Sequence, residues 1–218
     1  MLDDLKAIVC KYNKLLITKG LVSMTSGNVS ARDFDSGLVV IKPSGVDFDD
    51  LQPEDMVLAD LSGKVIEERL KPSVDAATHL YVYRHMPEVG SVIHTHSNYA
   101  TAFAALGRPI PVCLTAIADE FGCAIPISDY ARIGEEEIGQ EIVAKIGKSP
   151  AILMKSHGVF TIGPDVKAAF FKAAVMLEDV AKTYHLALLL GEPEEIPPEE
   201  VARAHRRYKE KYGQQSDA

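Results

Sequence analysis

The feature that most constrains this chain is a short apolar run at residues 89–93 that leads directly into His94 and His96. Such a run is typical of a buried β-strand. In an extended strand, alternate side chains point to the same face of the sheet, so the two imidazoles would project together. Two hydrogen-bonded histidines in a half-buried strand would have the same spacing, so the pair alone does not decide between that interpretation and a metal site.

Two further residues extend the histidine pair into a candidate metal site. A second apolar run, at residues 151–154, is followed closely by His157, and Asp75 lies upstream of the pair. Three imidazoles and one carboxylate are a suitable ligand set for zinc or a similar divalent ion. The sequence therefore predicts a metal enzyme.

The composition is that of an ordinary globular protein and argues against a nucleic-acid partner. The 218 residues are enough for one full-sized domain, and 47% of them are hydrophobic and 25% charged. Binding to phosphate backbones is usually driven by a basic surface, whereas the formal net charge here is -8. A basic cluster at residues 203–211 alternates with Glu210 and hydrophobic residues, as on the solvated face of a helix.

The sequence also predicts a cytoplasmic location and no membrane partner. It has no basic N-terminal region followed by an apolar stretch and a small-residue cleavage site, which is the pattern of a signal peptide. No run approaches the roughly 18 uninterrupted apolar residues of a membrane span. The three cysteines, Cys10, Cys113 and Cys123, are an odd number without framework spacing, which favours reduced thiols.

Hydrophobic periodicity and turn residues predict strands flanked by helices. A helix is expected to begin after Ser73 and to continue through Tyr83. The other predicted helices cover residues 2–19, 98–106, 134–146, 166–190 and 199–211. Besides the two runs that precede the histidines, β-type runs cover residues 38–41, 56–59, 65–67 and 158–163. This arrangement suggests a mixed or antiparallel sheet covered by helices.

Five short motifs stand in order along the chain, and together they resemble one known family. They are Thr25-Ser26-Gly27-Asn28-Val29-Ser30, Ile41-Lys42-Pro43-Ser44-Gly45-Val46, Lys71-Pro72-Ser73-Val74-Asp75, His94-Thr95-His96-Ser97 and Lys155-Ser156-His157-Gly158. The combination resembles the class II sugar-phosphate aldolase and epimerase family, which includes L-fuculose-1-phosphate aldolase and L-ribulose-5-phosphate 4-epimerase. The resemblance covers essentially the whole chain.

The resemblance implies a fold, an assembly and a metal. The fold would be an α/β single domain over residues 1–218, with three α/β/α layers around a central, mostly antiparallel sheet. Members of the family are usually homotetramers with active sites between neighbouring subunits. The implied cofactor is one Zn²⁺ per subunit, with other divalent ions also suitable. By resemblance, the metal ligands are Asp75, His94, His96 and His157.

The resemblance also implies a phosphate site built from glycines and short polar side chains. Backbone N–H groups and hydroxyls near a helix start can bind a phosphate dianion without a large basic patch. Each of these segments alone would more simply be a turn or a helix cap. The substrate-binding residues expected from the resemblance are Ser26, Gly27, Asn28, Lys42, Ser44, Gly45, Ser73, Val74 and Tyr130. The expected partner is thus a small phosphorylated ketose.

Two activities of the family fit these residues, and both make or break a carbon–carbon bond next to a ketone. A divalent metal would stabilise the enediolate left by retro-aldol cleavage. An L-ribulose-5-phosphate 4-epimerase-like activity on a pentose phosphate is predicted from Asp75, Asp119 and Tyr212, the expected catalytic residues, since epimerases carry matching residues there. The alternative is a class II aldolase that cleaves L-fuculose 1-phosphate or a related ketose 1-phosphate to dihydroxyacetone phosphate and an aldehyde, as Tyr130 and the chain length suggest.

Several positions depart from the epimerase pattern. Thr115-Ala116-Ile117 stands where epimerases usually have Thr-Thr-His, and Ser26 stands where tryptophan is typical. Val74 replaces a serine that normally contacts phosphate, which puts the phosphate affinity in question. Without the resemblance, Asp119 would be interpreted as a solvated loop acid and Tyr212 as an aromatic residue at a helix end. A non-catalytic, adducin-type module is disfavoured, because all four metal ligands are present.

Overall fold

The structure of the protein, a computed structural model, describes residues 2–67 and 69–212. Within these residues the chain forms strands, α-helices, a 3₁₀ turn (Pro53–Asp55) and a π-helical segment (Ala168–Val175). The strands are β1 (Asn28–Arg32), β2 (Val39–Ile41), β3 (Val57–Ala59), β4 (Val65–Glu67), β5 (Ser91–Thr95), β6 (Ala151–Met154) and β7 (Gly158–Gly163). The α-helices are α1 (Asp3–Thr18), α2 (Ala76–His85), α3 (Asn98–Leu106), α4 (Thr115–Phe121), α5 (Glu137–Lys145), α6 (Met176–Leu188) and α7 (Pro198–Lys211).

The strands form one antiparallel sheet in the order β4-β3-β2-β1-β5-β7-β6. Strand β5 lies between β1 and β7, and His94 is the register partner of Asn28 on one side and of Phe160 on the other. Because neighbouring strands run in opposite directions, the end of β5 meets the starts of β1 and β7 at the same edge of the sheet. The mostly antiparallel sheet predicted from the sequence is confirmed.

Helices cover both faces of this sheet, as β5 shows most directly. Ile93 points into a core that includes Val9 and Leu16 of α1. The preceding residue, Val92, points to the opposite face, into a core that includes Leu80 of α2 together with residues of α5. This alternation places the sheet between two helical layers and confirms the three-layer arrangement. Within the described residues, none of the helices combines the length and the apolar character that crossing a membrane requires.

Two elements near the site do not follow from hydrophobic periodicity. Strand β1 contains buried Asn28 and Ser30, so its polar residues hide the strand pattern. Helix α4 has only seven residues, and it carries Asp119, which the sequence alone places in a loop. In addition, the single long helix predicted at residues 166–190 consists of two types of helix. Its first part is π-helical, and only Met176–Leu188 is α-helical.

A buried asparagine fixes β1 against helix α1. The Asn13 side chain is fully buried, and its Oδ1 accepts a hydrogen bond from the N–H of Val29 at 2.8 Å. Its Nδ2 donates to the carbonyl oxygens of Val9, at 2.8 Å, and of Val29, at 3.2 Å. Since Val29 follows Asn28 directly, this contact sets the position of the strand end that reaches the site.

We expect Asn13→Ala to lower the free energy of unfolding by about 1–3 kcal/mol, because it leaves the buried N–H of Val29 without its acceptor. Urea titration monitored by circular dichroism measures this change. Lys11→Ala, at an exposed position of the same helix, is the matched control and should change stability by less than about 0.5 kcal/mol. Equal stability of the two variants would contradict the role assigned to Asn13.

Candidate active site

Three histidines converge where the end of β5 meets the start of β7. His94 is the buried fourth residue of β5, His96 lies just beyond the strand, and His157 lies in the turn between β6 and β7. The candidate ligand atoms of the three side chains all lie within 4.8 Å of one another. Among the described residues, the three form a compact group that is able to hold a metal ion.

The surroundings of His94 orient its ring toward the other two histidines. The His94 Nδ1–H donates to the carbonyl oxygen of Val159 at 2.9 Å, which leaves Nε2 with a free lone pair. That Nε2 lies 2.9 Å from the Nε2 of His96, so both atoms face one small volume. The ring of Phe160 stacks on His94 with a centroid distance of 4.3 Å and an interplanar angle of 15°.

The residues on both sides of His157 have unusual backbone requirements. Ser156 has a φ of 61°, in the left-handed region that non-glycine residues rarely adopt. Gly158 has no room for a side chain, since an added Cβ would lie 2.6 Å from the Thr95 carbonyl oxygen and 2.7 Å from His96 Cδ2. The missing Cβ therefore allows β7 to approach the histidine cluster.

Burial keeps the three imidazoles uncharged at neutral pH. Desolvation lowers the pKa of His94 to about 3 and also lowers the pKa values of His96 and His157. Metal ligation requires the neutral imidazole, so no proton has to be displaced at pH 7. In addition, the buried Nδ1 of His157 has no hydrogen-bond partner among the described residues. Three neutral, closely spaced imidazoles are a suitable donor set for a divalent metal such as zinc.

Asp75 lies in the same cavity, outside the compact group of three ligand atoms. The residue directly precedes α2 and is buried, and its Oδ2 accepts a hydrogen bond from Asn28 Nδ2 at 2.7 Å. Burial raises the pKa of this carboxyl, but the attraction of His94 and His79 when these are protonated in acid, together with the bond from Asn28, outweighs burial and leaves the pKa below its usual value. The carboxyl is therefore ionised at neutral pH.

His79, which no sequence pattern connected to the site, is fully buried one helical turn after Asp75. Its Nδ1 lies 2.7 Å from Ser30 Oγ, and its ring packs edge-on against Phe160. Burial lowers the pKa of His79 to about 4. A spacing of four residues from Asp75 on a predicted helix is the signal that could have placed both side chains on one face.

The histidines open into a cavity of about 340 Å³ that also contains the expected phosphate residues. The predicted residues that line it are Ser26, Gly27, Asn28, Lys42, Ser44, Gly45, Ser73, Val74, Asp75, His94, His96 and His157. Thr25, Pro43 and Ile133 also line the cavity, although they are not among the site residues expected from the sequence. Residues from segments more than 100 positions apart in sequence thus surround one space.

Lys42 contributes to the cavity in a way that its sequence motif does not indicate. Its side chain is buried, and Nζ donates to the carbonyl oxygens of Val46 at 3.0 Å, Pro43 at 3.4 Å and Thr25 at 3.5 Å. The ammonium also lies 4.5 Å from the centroid of the Phe48 ring. Burial lowers the pKa of Lys42. The cation therefore joins the two loops that form the walls of the cavity.

Three predicted site residues lie outside this cavity. Asp119 is on α4, where its Oδ1 lies 3.5 Å from the Arg207 guanidinium of α7. Tyr212 is 71% exposed and stacks on Tyr208, and Tyr130 is 69% exposed. A single chain thus brings together the residues expected to bind the metal and the phosphate, whereas these three side chains lie outside their cavity.

Comparison with known proteins agrees with this geometry. Residues 7–185 match the family described as "Class II Aldolase and Adducin N-terminal domain". The chain belongs to the class II aldolase and adducin family. The matched segment contains every residue that lines the cavity. Membership of this family supports an enzymatic function for the chain. Class II aldolases depend on a metal, which agrees with the presence of the histidine cluster.

Solved structures of class II aldolases superpose closely on the chain. An L-fuculose 1-phosphate aldolase is 32% identical, with a TM-score of 0.90 over 94% of this chain and 96% of that chain. The L-fuculose-1-phosphate aldolase from Thermus thermophilus is 27% identical, with a TM-score of 0.71 over 87% of this chain and 98% of that chain. The corresponding enzyme from Glaciozyma antarctica, at 22% identity and a TM-score of 0.79 over 94% of this chain and 81% of that chain, supports the fold.

We expect Gly158→Ala to weaken zinc binding by about tenfold or more, because its Cβ would push against the His96 ring and the Thr95 carbonyl. Competition with a chromophoric chelator measures the dissociation constant. Gly37→Ala is the matched control, since that glycine faces open space at a positive φ. The control should lose some stability and keep its zinc affinity, and equal zinc affinities of both variants would contradict this account.

The metal-free protein should lose stability as the pH falls from about 6.5 to about 5.5. In the unfolded chain histidines take up protons near pH 6.5, whereas folding holds the pKa of His79 at about 4 and that of His94 at about 3. The unfolded chain then binds more protons, so the free energy of unfolding decreases by up to about 1.4 kcal/mol per pH unit for each of these histidines.

Urea unfolding in the presence of a chelator measures this pH dependence. His85→Asn, which removes an exposed histidine instead of a buried one, is the matched control. A free energy of unfolding that stays constant over this range would show that the two buried histidines are protonated in the folded chain.

Proposed function

We propose that this chain is a divalent-metal-dependent aldolase that cleaves a ketose 1-phosphate, such as L-fuculose 1-phosphate, to dihydroxyacetone phosphate and an aldehyde. The observation that carries the proposal is one cavity that contains both the histidine cluster and the glycine- and hydroxyl-rich loops. The similarity to aldolases of L-fuculose 1-phosphate supports this choice of substrate class.

In this proposal His94, His96 and His157 hold one Zn²⁺. A cation held by these nitrogens supplies a Lewis acid that offsets the negative charge developing on the substrate carbonyl oxygen as the carbon–carbon bond breaks. The hydrogen bond from His94 to Val159 and the stacking of Phe160 keep the ligand ring in its orientation. A pre-oriented site needs little rearrangement when the substrate binds.

Asp75 acts beside the metal as an ionised carboxylate. Asn28 donates one hydrogen bond to its Oδ2 and a second, at 3.0 Å, to Ser73 Oγ, and these bonds hold the carboxylate at the cavity wall. We propose that Asp75 accepts a hydrogen bond or a proton from a substrate hydroxyl, either as a further metal ligand or next to the metal. Its low pKa keeps it available as an acceptor at neutral pH.

The phosphate group would bind at the other side of the cavity, between the loops that contain Gly27, Ser44 and Gly45. These loops and Ser73 supply short hydroxyls and N–H groups, which suit a phosphate dianion. Lys42 holds the loops together through their carbonyl oxygens, so its role in this proposal is to build the phosphate site. Val74 contributes no hydroxyl, which leaves one hydrogen bond fewer than in a site with serine at that position.

A 4-epimerase acting on L-ribulose 5-phosphate is the second candidate. The observation that favours it is Asp75 itself, which by the resemblance matches the residue that epimerases carry at this position. We propose, for either activity, a homotetramer in which the partly buried Asp119 and the exposed Tyr130 and Tyr212 approach the cavity of a neighbouring subunit. We also propose a cytoplasmic location, with which the three free cysteine thiols agree.

The zinc-loaded protein should release dihydroxyacetone phosphate from L-fuculose 1-phosphate, measured with a coupled reductase. Asp119→Asn should retain this cleavage if the enzyme is an aldolase, because a catalytic role for Asp119 is expected only from its match to the epimerases. Conversion of L-ribulose 5-phosphate to D-xylulose 5-phosphate without release of a free aldehyde, followed by proton NMR, would overturn the aldolase proposal in favour of the epimerase. The control is Asp35→Asn, which also removes one negative charge but does so at an exposed residue in a loop.

A further inference from the structure

The start of helix α3, directly after the loop that carries His96, is capped by a residue from a distant part of the chain. Ser97 is the N-cap residue of α3, but its side chain makes no capping hydrogen bond. The N–H groups of Tyr99 and Ala100 donate to Glu178, at 2.9 Å to Oε1 and at 3.0 Å to Oε2. Glu178 belongs to α6, 79 positions beyond Tyr99.

The two amides that Glu178 binds are groups that a helix cannot satisfy by itself. The second and third N–H groups of an α-helix have no acceptor within the helix, and an N-cap side chain usually binds one of them. A carboxylate at this end also interacts favourably with the helix dipole. Glu178 binds both amides through charge-assisted hydrogen bonds, so its removal would free both at once.

Helix α3 contacts both of the loops that present the outer histidines. Its first residue follows His96 after the single residue Ser97. Near its other end, the carbonyl oxygen of Ala104 accepts a hydrogen bond of 3.0 Å from the N–H of Ser156, the residue before His157. A shift of α3 along or away from α6 would therefore displace two of the three imidazoles relative to His94, which is held within the sheet.

We infer that Glu178 is a positioning residue for the metal centre. Its carboxylate fixes the first turn of α3 to α6, and α3 in turn fixes the loops of His96 and His157. The inference rests on the proposed metal site, and it gives a role to a side chain that contacts neither the metal nor the substrate. The sequence motifs contain no sign of this role, because Glu178 is distant from them in the chain.

The test measures metal binding and metal geometry in the full-length protein. Glu178→Ala should raise the dissociation constant for Zn²⁺ by about tenfold or more, measured by competition with a chelator. With Co²⁺ in place of Zn²⁺, the visible absorption spectrum of the variant should also differ from that of the wild type, because the arrangement of the ligands changes. Asp179→Ala, at the adjacent exposed acid of α6, is the control and should keep both the affinity and the spectrum.

A purely structural role for Glu178 predicts a lower melting temperature with an unchanged Zn²⁺ affinity and an unchanged cobalt spectrum, and that result would overturn the inference. If Glu178→Ala does not fold, Glu178→Gln provides the same readouts. It keeps one acceptor oxygen, so the expected weakening is about threefold or more, and wild-type values would again overturn the inference. A wild-type chain that binds no divalent ion would overturn the metal site itself, an outcome distinct from a wild-type-like Glu178 variant.

Discussion

The pairing of strand β5 with β1 on one side and β7 on the other is the constraint on which the rest of the site depends. Antiparallel pairing brings the end of one strand to the starts of its neighbours, and here it places Asn28, His94 and Phe160 side by side. From that row, the chain adds His96 beyond β5 and His157 before β7. A slip of one residue in either pairing would turn His94 to the other face of the sheet and separate the cluster.

The site combines buried groups whose charge states suit metal binding. Desolvation keeps the histidines neutral, while the hydrogen bond from Asn28 stabilises the ionised form of Asp75. One negative charge beside three neutral nitrogens is a favourable setting for a divalent cation, since the cation then compensates the buried carboxylate. The arrangement makes the metal-free chain sensitive to acid, and binding of a metal would stabilise the folded state by mass action.

Much of this site could be predicted from the sequence, because its central features depend on local rules. Alternation along an extended strand places His94 and His96 together, and the short glycine and serine motifs have few structural interpretations other than turns and caps. The helix at residues 98–106 and the strand at residues 158–163 have the predicted bounds, since both have clear periodicity and clear ends.

The remaining features depend on contacts between distant segments, which no local pattern contains. Ile133 lines the cavity from a loop without periodicity, and Glu178 caps a helix far from it in sequence. The donors of Lys42 are directed at backbone carbonyls, although its motif suggested a substrate ligand. Asp119 and Tyr212 are on the surface of the chain, so a role for them in catalysis would require a second subunit, which sequence patterns do not describe.

The ammonium of Lys42 is buried beneath the loops of the cavity, so its positive charge is separated from the molecular surface. Its position beneath the loops allows the exterior to remain acidic, with a formal net charge of -8. An acidic exterior repels nucleic acids and other polyanions at long range, whereas in the proposed function a small phosphorylated sugar would enter a cavity whose loops are held by a buried cation. In the proposed function, the size of this cavity would therefore limit which phosphorylated molecules reach the site.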